Sequence, residues 1–194
     1  MSLKGEVLIK SLKISYLWIK FSLVCMFVLG ATFISAQRSP ASEDQLKAAF
    51  IYNFTRFVDW PPDYFSTSSS PFIIGILGDE SFKSYIDEIV KGEKLGDRAI
   101  VVQRYRTVKE IKHCHILFIS AYEATRIKGA IPALNRRGIL TVSDGAEFAK
   151  WGGIVRFFKD DNKLRLQINI DEAKSSQLII SSKLLSLSSI YSKN

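Results

Sequence analysis

Phe72-Ile73-Ile74-Gly75-Ile76-Leu77 is six residues long, carries no charge, and closes on Gly78-Asp79. An uninterrupted apolar run of that length, stopped by a turn pair, is the pattern of a strand buried on both faces, as in a parallel or mixed sheet. Working outward from it, Ser66 to Ser70 is a turn region before the strand. After it, Phe82, Tyr85, Ile86, Ile89 and Val90 recur at helical spacing until Gly92. Ala99-Ile100-Val101-Val102, Ile116-Leu117-Phe118-Ile119 and Ile139-Leu140-Thr141-Val142 supply three further strands. The stretches between them predict helical turns over Thr107–Lys112, a helix over Ala121–Leu134 that tolerates Pro132, and a short helix over Ala146–Trp151.

Both ends of this block carry their own signals. Ser42-Glu43-Asp44-Gln45 has the form of a capping box, in which Ser42 and Gln45 satisfy each other's backbone N–H. Leu46, Phe50, Phe54 and Phe57, widened by Ala49 and Val58, predict an inward helical face that Pro61-Pro62 cuts off. From Gly152-Gly153 the period changes to two. Ile154 to Phe158 and Lys163 to Ile170 flank the turn Asp160-Asp161-Asn162. In the second arm Leu164, Leu166, Ile168 and Ile170 alternate with polar residues, as in a hairpin with one wet face. Asp171 to Tyr191 reads as a closing helix with Leu184, Leu185, Leu187 and Ile190 inward. The expected fold is therefore α/β: a single-domain sandwich with a mixed β-sheet flanked by helices and a C-terminal hairpin plus helix.

The chain has 194 residues and a net charge of +8. Lys4, Lys10, Lys13 and Lys20, against Glu6 alone, precede the uncharged run Phe21 to Ile34 and then Ser35-Ala36. A basic lead, a short apolar run and a small residue make a secretory signal peptide. The fourteen-residue run spans about 21 Å as a helix, short of the ~30 Å hydrocarbon core, which favours cleavage over a lasting anchor. The expectation is a signal peptide over 1–36 and one domain over 37–194. Without the leader the balance falls to 23 basic and 18 acidic residues, a weak signal for any polyanionic partner. An exported domain meets neither cytosolic nucleotides nor chromosomal DNA, so no nucleic-acid partner is expected. Cys25 leaves with the leader and Cys114 remains alone, without a mate for an internal disulfide.

Chemical constellations are few. His113-Cys114-His115 is the only soft-ligand cluster, and a metal would need ligands from elsewhere, so no metal is expected. Ile119-Ser120-Ala121 lacks the glycines of a nucleophile elbow. Gly75 to Asp79 lacks both G-x-G-x-x-G and the phosphate-loop lysine, so no nucleotide cofactor is expected. Gly75 instead marks a close approach to the strand, most simply by a helix. Asp79 and Asp144 follow strands, where ligand sites of open sheets collect; the plain reading of strand-end acids is helix capping. Phe50, Tyr52, Phe54, Phe57, Trp60, Tyr64 and Phe65 are more aromatics than one helix can turn inward.

Lys47-Ala48-Ala49-Phe50-Ile51-Tyr52-Asn53-Phe54, with Phe57, Trp60 and Pro61, resembles the opening of the YfiR-like family of periplasmic proteins. Agreement continues in order through Ile76-Leu77-Gly78-Asp79, Cys114 to Ser120, Leu140 to Asp144, Phe148-Ala149 with Gly152-Gly153-Ile154, Ile168-Asn169 and Ser181 to Leu185. The resemblance covers 43–190. It implies a non-enzymatic, periplasmic regulator, often dimeric, that restrains an inner-membrane diguanylate cyclase and lowers cyclic di-GMP and biofilm formation. The resemblance also implies that some family members pair cysteines in disulfides, one at the Cys114 position; here that cysteine is expected to have no mate.

Two functional readings follow. In the first, the protein binds an inner-membrane signalling protein, a diguanylate cyclase or sensor kinase, through Tyr52, Trp60, Tyr64, Phe148 and Trp151. In the alternative, it is a periplasmic small-molecule binder or hydrolase using Asp79 and Asp144. Either needs export, and mass spectrometry of the protein from its native cell is expected to find an N-terminus at Gln37. An intact Met1 on a membrane-embedded product would overturn the leader assignment.

Overall fold

A computed structural model describes residues 41–67 and 69–192. The signal peptide assigned to 1–36, and its junction with the domain, lie outside these residues. Helix α1 (Glu43–Phe57) opens with the expected capping box, Ser42 and Gln45 each accepting the other's backbone N–H. Its inward face differs from expectation. Lys47, Ala48, Ile51, Phe54 and Thr55 are buried, Phe50 and Phe57 lie half-buried on the flanks, and Leu46 is 42% exposed. The helix is turned by about one residue because Lys47 is drawn inward to an acid on the sheet, as described below.

Strands β1 (Val58–Asp59), β2 (Phe72–Leu77), β3 (Lys94–Leu95), β4 (Arg98–Tyr105), β5 (Ile116–Ile119), β6 (Leu140–Ser143), β7 (Val155–Asp160), β8 (Lys163–Ile168), β9 (Ile179–Ile180) and β10 (Ser188–Ile190) form two sheets among the described residues. The larger has the order β10-β8-β7-β6-β5-β2-β4-β3; the smaller pairs β1 with β9. β2 runs parallel to both β4 and β5, so the chain builds one side, then crosses β2 to build the other. β5, β6 and β7 continue in parallel. The β7–β8 hairpin is antiparallel, making the sheet mixed. Asp161 and Asn162 both have positive φ, 47° and 58°, the two-residue turn whose twist suits a hairpin.

Two cores lie on the two faces of the sheet. Phe72, Ile74 and Ile76 of β2, with Ile116 and Phe118 of β5, meet α1 and helix α2 (Glu80–Val90). Phe82 and Phe118 touch there with ring centroids 4.2 Å apart. Leu77, Leu117 and Ile119 point to the other face, toward Ala124, Ile131, Leu134 and Phe148. Alternation on strands buried on both sides explains why the sequence runs apolar without a break. Gly75 does mark a close approach, but of side chains rather than a helix: an added Cβ would lie 2.7 Å from both Cys114 Sγ and the Tyr105 ring.

Three predicted helices are not continuous helices. Ala121–Leu134 divides into α3 (Ala121–Arg126), a 3-10 turn over Lys128–Ala130, and α4 (Ile131–Asn135), where Pro132 sits in the first turn. Proline has no N–H to donate to a preceding turn, so it starts a helix more readily than it continues one. Ala146–Trp151 is a string of hydrogen-bonded turns. Asp171–Tyr191 becomes α5 (Ile170–Ser175), β9, α6 (Ser182–Ser186) and β10. Gln177 at φ 58° ends the first of these, and Ser181 caps the second by accepting from Leu184 N–H. β10 then lies parallel to β8.

The N-terminal ends of β2 and β5 are joined by a histidine. His115 is buried, its Nδ1 accepts the Ile73 N–H at 3.0 Å, and its ring stacks between Phe65 and Phe72, 4.6 Å from each. Burial pushes its pKa down to about 4. A histidine held neutral stabilises the fold fully above its unfolded pKa of about 6.5, and that contribution is lost as pH falls toward 4. Urea denaturation is therefore expected to show a loss of roughly 2 kcal/mol between pH 7 and pH 5. His115→Gln, which keeps an acceptor for Ile73, should flatten that slope; an unchanged slope would assign it to other groups.

Candidate functional site

The C-terminal ends of β6 and β7 frame the most highly charged part of the interior. Lys47 is 5% exposed, and its ammonium lies 2.7 Å from Asp144 Oδ2 and 2.8 Å from Glu43 Oε1. Burial alone would lower the Lys47 pKa; the hydrogen bonds to Asp144 and Glu43 outweigh it and leave the pKa raised. Glu43 also meets Lys159 at 2.6 Å. Hydrogen bonds from Lys159 and Lys47 hold the Glu43 carboxyl below its ordinary range. These residues, with Arg156, Phe157, Phe158 and Leu164, line a hollow of ≈ 300 Å³.

Asp144 is held here because β6 ends at Ser143 and the chain turns at once. Gly145 N–H donates to Ser143 Oγ, and the turns over 146–152 carry Phe148 into the second core. An added Cβ on Gly153 would meet the Phe148 ring at 2.2 Å, so only glycine lets the chain pass over it. Asp79, the other strand-end acid, is the N-cap of α2 and accepts from Phe82 N–H and the Ser81 hydroxyl. Burial tends to raise its pKa, but those hydrogen bonds prevail and it is lowered. The two acids thus have different work, Asp79 capping a helix and Asp144 holding a buried cation.

The aromatics are distributed around the domain. Phe148 is fully buried and can only shape its turn; it does not face solvent as a contact surface would require. Trp60 stacks edge-on against Phe72 at 4.9 Å, half-buried. Tyr64 donates to the Ser176 carbonyl at 3.0 Å. Tyr52 binds Glu93 through its hydroxyl, and the Arg56 guanidinium lies 5.0 Å from its ring centre. Trp151 is half-buried against the second core. His113 is exposed while its neighbour His115 is enclosed. Cys114 is buried, and burial pushes its thiol up to about 12, which keeps it out of the thiolate form.

Three exposed apolar side chains fall on the C-terminal segment: Ile179 at 67%, Leu187 at 65% and Ile190 at 47%. Ile179, with Ile170, Ala173, Leu178, Ile180 and Leu185, lines an apolar hollow of ≈ 280 Å³, while Leu187 borders a second hollow with Leu166. Reading the segment as one helix conceals these exposures. Lys47, Arg156 and Lys159 were also missed, although Lys47 is the one charge in the series 47, 51, 54, 58, and that spacing would have flagged it.

The YfiR/HmsC-like family profile matches residues 44–189, from α1 into β10. The chain belongs to that family. Its members are periplasmic regulators of cyclic di-GMP signalling, regulatory rather than catalytic. No curated protein matches the sequence. No helix among the described residues of this YfiR/HmsC-like protein is long and apolar enough to cross a membrane.

The buried pair yields a stability test. Lys47→Met leaves Asp144 without its cation while Glu43 keeps Lys159, and urea denaturation should register a loss of about 2 kcal/mol. The double variant Lys47→Met/Asp144→Leu is expected to recover part of that loss, since removing both charges abolishes the unpaired one. Wild-type stability in the single variant would show that the tie contributes nothing.

Proposed function

We propose that this YfiR/HmsC-like chain is an exported regulator that restrains a membrane signalling partner, a diguanylate cyclase, and so lowers cyclic di-GMP. The observation that carries this reading is the C-terminal segment, on which Ile179, Leu187 and Ile190 are exposed and Ile179 lines an apolar hollow. Exposed large apolar side chains beside an apolar hollow are characteristic of protein-contact surfaces. Lys174 and Lys183 are exposed on the same segment, which suits a partner with acidic residues around an apolar centre. Tyr64 is tied to this segment through the Ser176 carbonyl, and Trp60 directly follows β1, which pairs with β9. Tyr52 and Trp151, each partly exposed, are proposed as accessory contacts. A hydrolase reading has little to draw on, because Asp79 is engaged in a cap and Asp144 in the Lys47 pair.

The test pairs thermal stability of the purified domain with cyclic di-GMP level in the native cell. Ile179→Ser/Leu187→Ser removes exposed groups and should leave the domain folded, with a stability change of around 0.5 kcal/mol. Loss of a real anchor costs about 2 kcal/mol of binding, a roughly 30-fold weakening, so cyclic di-GMP should rise. Trp60→Ala should instead lower stability by about 2 kcal/mol through lost packing on Phe72. Unchanged cyclic di-GMP on deletion of the whole gene would overturn the cyclase reading.

A further inference from the structure

The larger sheet ends at β10, and among the described residues no strand pairs with its outer side. Tyr191 N–H donates to the Ile168 carbonyl at 2.8 Å. In a parallel pair, alternate residues of one strand turn their main-chain groups toward the other. Ser189 and Tyr191 therefore face β8, while Ser188 and Ile190 turn N–H and C=O outward. An edge of unanswered donors and acceptors is a template for a further strand, and charged side chains usually guard it. Here the strand is Ser188-Ser189-Ile190, without a charge, and Ile190 is 47% exposed.

A strand added at this edge would set its side chains alternately on the two faces of the sheet. On the core face its neighbours are Ile190 and, one strand further in, Leu166 and Ile168. On the other face stand Ser189 and Gln167, followed by Arg165 and Lys163 of β8 and Arg156 and Asp160 of β7. That face carries three cations and one acid, and the acid is already taken up with Arg165 at 3.7 Å. An open hollow of ≈ 360 Å³ between Phe158, Arg165 and Leu187 leaves room beside the start of β10. From Ala173 to the end, moreover, the sequence has Lys174, Lys183 and Lys193 and no acid. Charge therefore disfavours a second copy, whose own β10 brings the same basic segment, and favours a strand that bears acids.

We propose that β10 takes up an extended, acidic strand of the membrane partner, joined main chain to main chain, with apolar side chains beside Ile190 and acidic ones on the Arg165 face. Pairing of the main chains supplies affinity, and the two unlike faces select the side chains. The proposal rests on the regulator reading and specifies how that partner is held.

A fluorescent peptide alternating valine and glutamate is the probe, followed by anisotropy on the purified domain, with a valine–lysine peptide as its counterpart. The glutamate peptide is expected to bind and the lysine peptide is not. Ile190→Ala and Ile190→Pro both shorten the side chain, but only proline removes the outward N–H, a loss that edge strands tolerate. Ile190→Pro should bind the glutamate peptide about 10-fold more weakly than Ile190→Ala, as one lost hydrogen bond does. Lys163→Gln/Arg165→Gln, on exposed side chains, leaves the main chain untouched and should weaken binding about 3-fold or more, whether or not the proline variant folds. In the native cell Ile190→Pro should raise cyclic di-GMP and Ile190→Ala should not. The proposal fails if the glutamate peptide does not bind at millimolar concentration, if the lysine peptide binds as tightly, or if the alanine and proline variants behave alike. A dimer that Ile190→Pro dissociates in sedimentation would give the edge to a second copy and overturn it as well. Raised cyclic di-GMP on gene deletion without peptide binding rejects the edge alone, whereas unchanged cyclic di-GMP on deletion rejects the regulator reading itself.

Discussion

The parallel passage from β6 to β7 is the constraint on which the rest of the domain depends. Adjacent parallel strands usually need a helix between them, and here residues 144–154 do the work with turns alone. A buried set of amides holds that passage. Asn135 donates to the Gly152 carbonyl at 2.6 Å and accepts from Thr141 Oγ1 at 2.7 Å, while Thr141 Oγ1 accepts from Ile154 N–H. Asn169 donates to the Ala149 carbonyl. The Ala149 and Gly152 carbonyls and the Ile154 N–H are thereby matched to side chains from α4, β6 and the start of α5. Interiors tolerate polar groups on that condition only.

The buried ion pair is a consequence of that passage. It sets Asp144 just past the end of β6, where Lys47 reaches in from α1 to hold the acid. Beyond β8 the chain first pairs β9 with β1 and then closes the edge of the larger sheet with β10, only three residues long. The opposite edge, β3, carries Lys94 and is flanked by Lys91, Glu93 and Asp97. Charge at an edge discourages pairing with other chains. The β10 edge, with Leu187 and Ile190 exposed, lacks that protection and is open to contact.

Much of the fold was legible in local patterns. The strand over 72–77 showed as an apolar run, the α1 start as a capping box, and the β7–β8 hairpin as alternation around a turn. Each depends on neighbours within a few residues, or on a face buried whatever packs against it. Legibility failed where a partner distant in sequence decided. Rotation of α1 follows from Asp144, 97 residues away from Lys47. Division of the C-terminal stretch follows from β1 and β8, which recruit Ile179-Ile180 and Ser188–Ile190 as strands.

Local patterns were enough for the α/β class, the positions of the main strands along the chain and the family resemblance, because periodicity and caps are local properties of the chain. They also carried the expectation that Cys114 lacks an intrachain mate once the proposed leader is removed. Only the tertiary structure decided which of two strand-end acids holds a buried cation and which merely caps a helix. It alone placed Phe148 inside and Ile179, Leu187 and Ile190 outside. Exposure and charge pairing are sums over neighbours brought together by the sheet, and no window of sequence contains those neighbours.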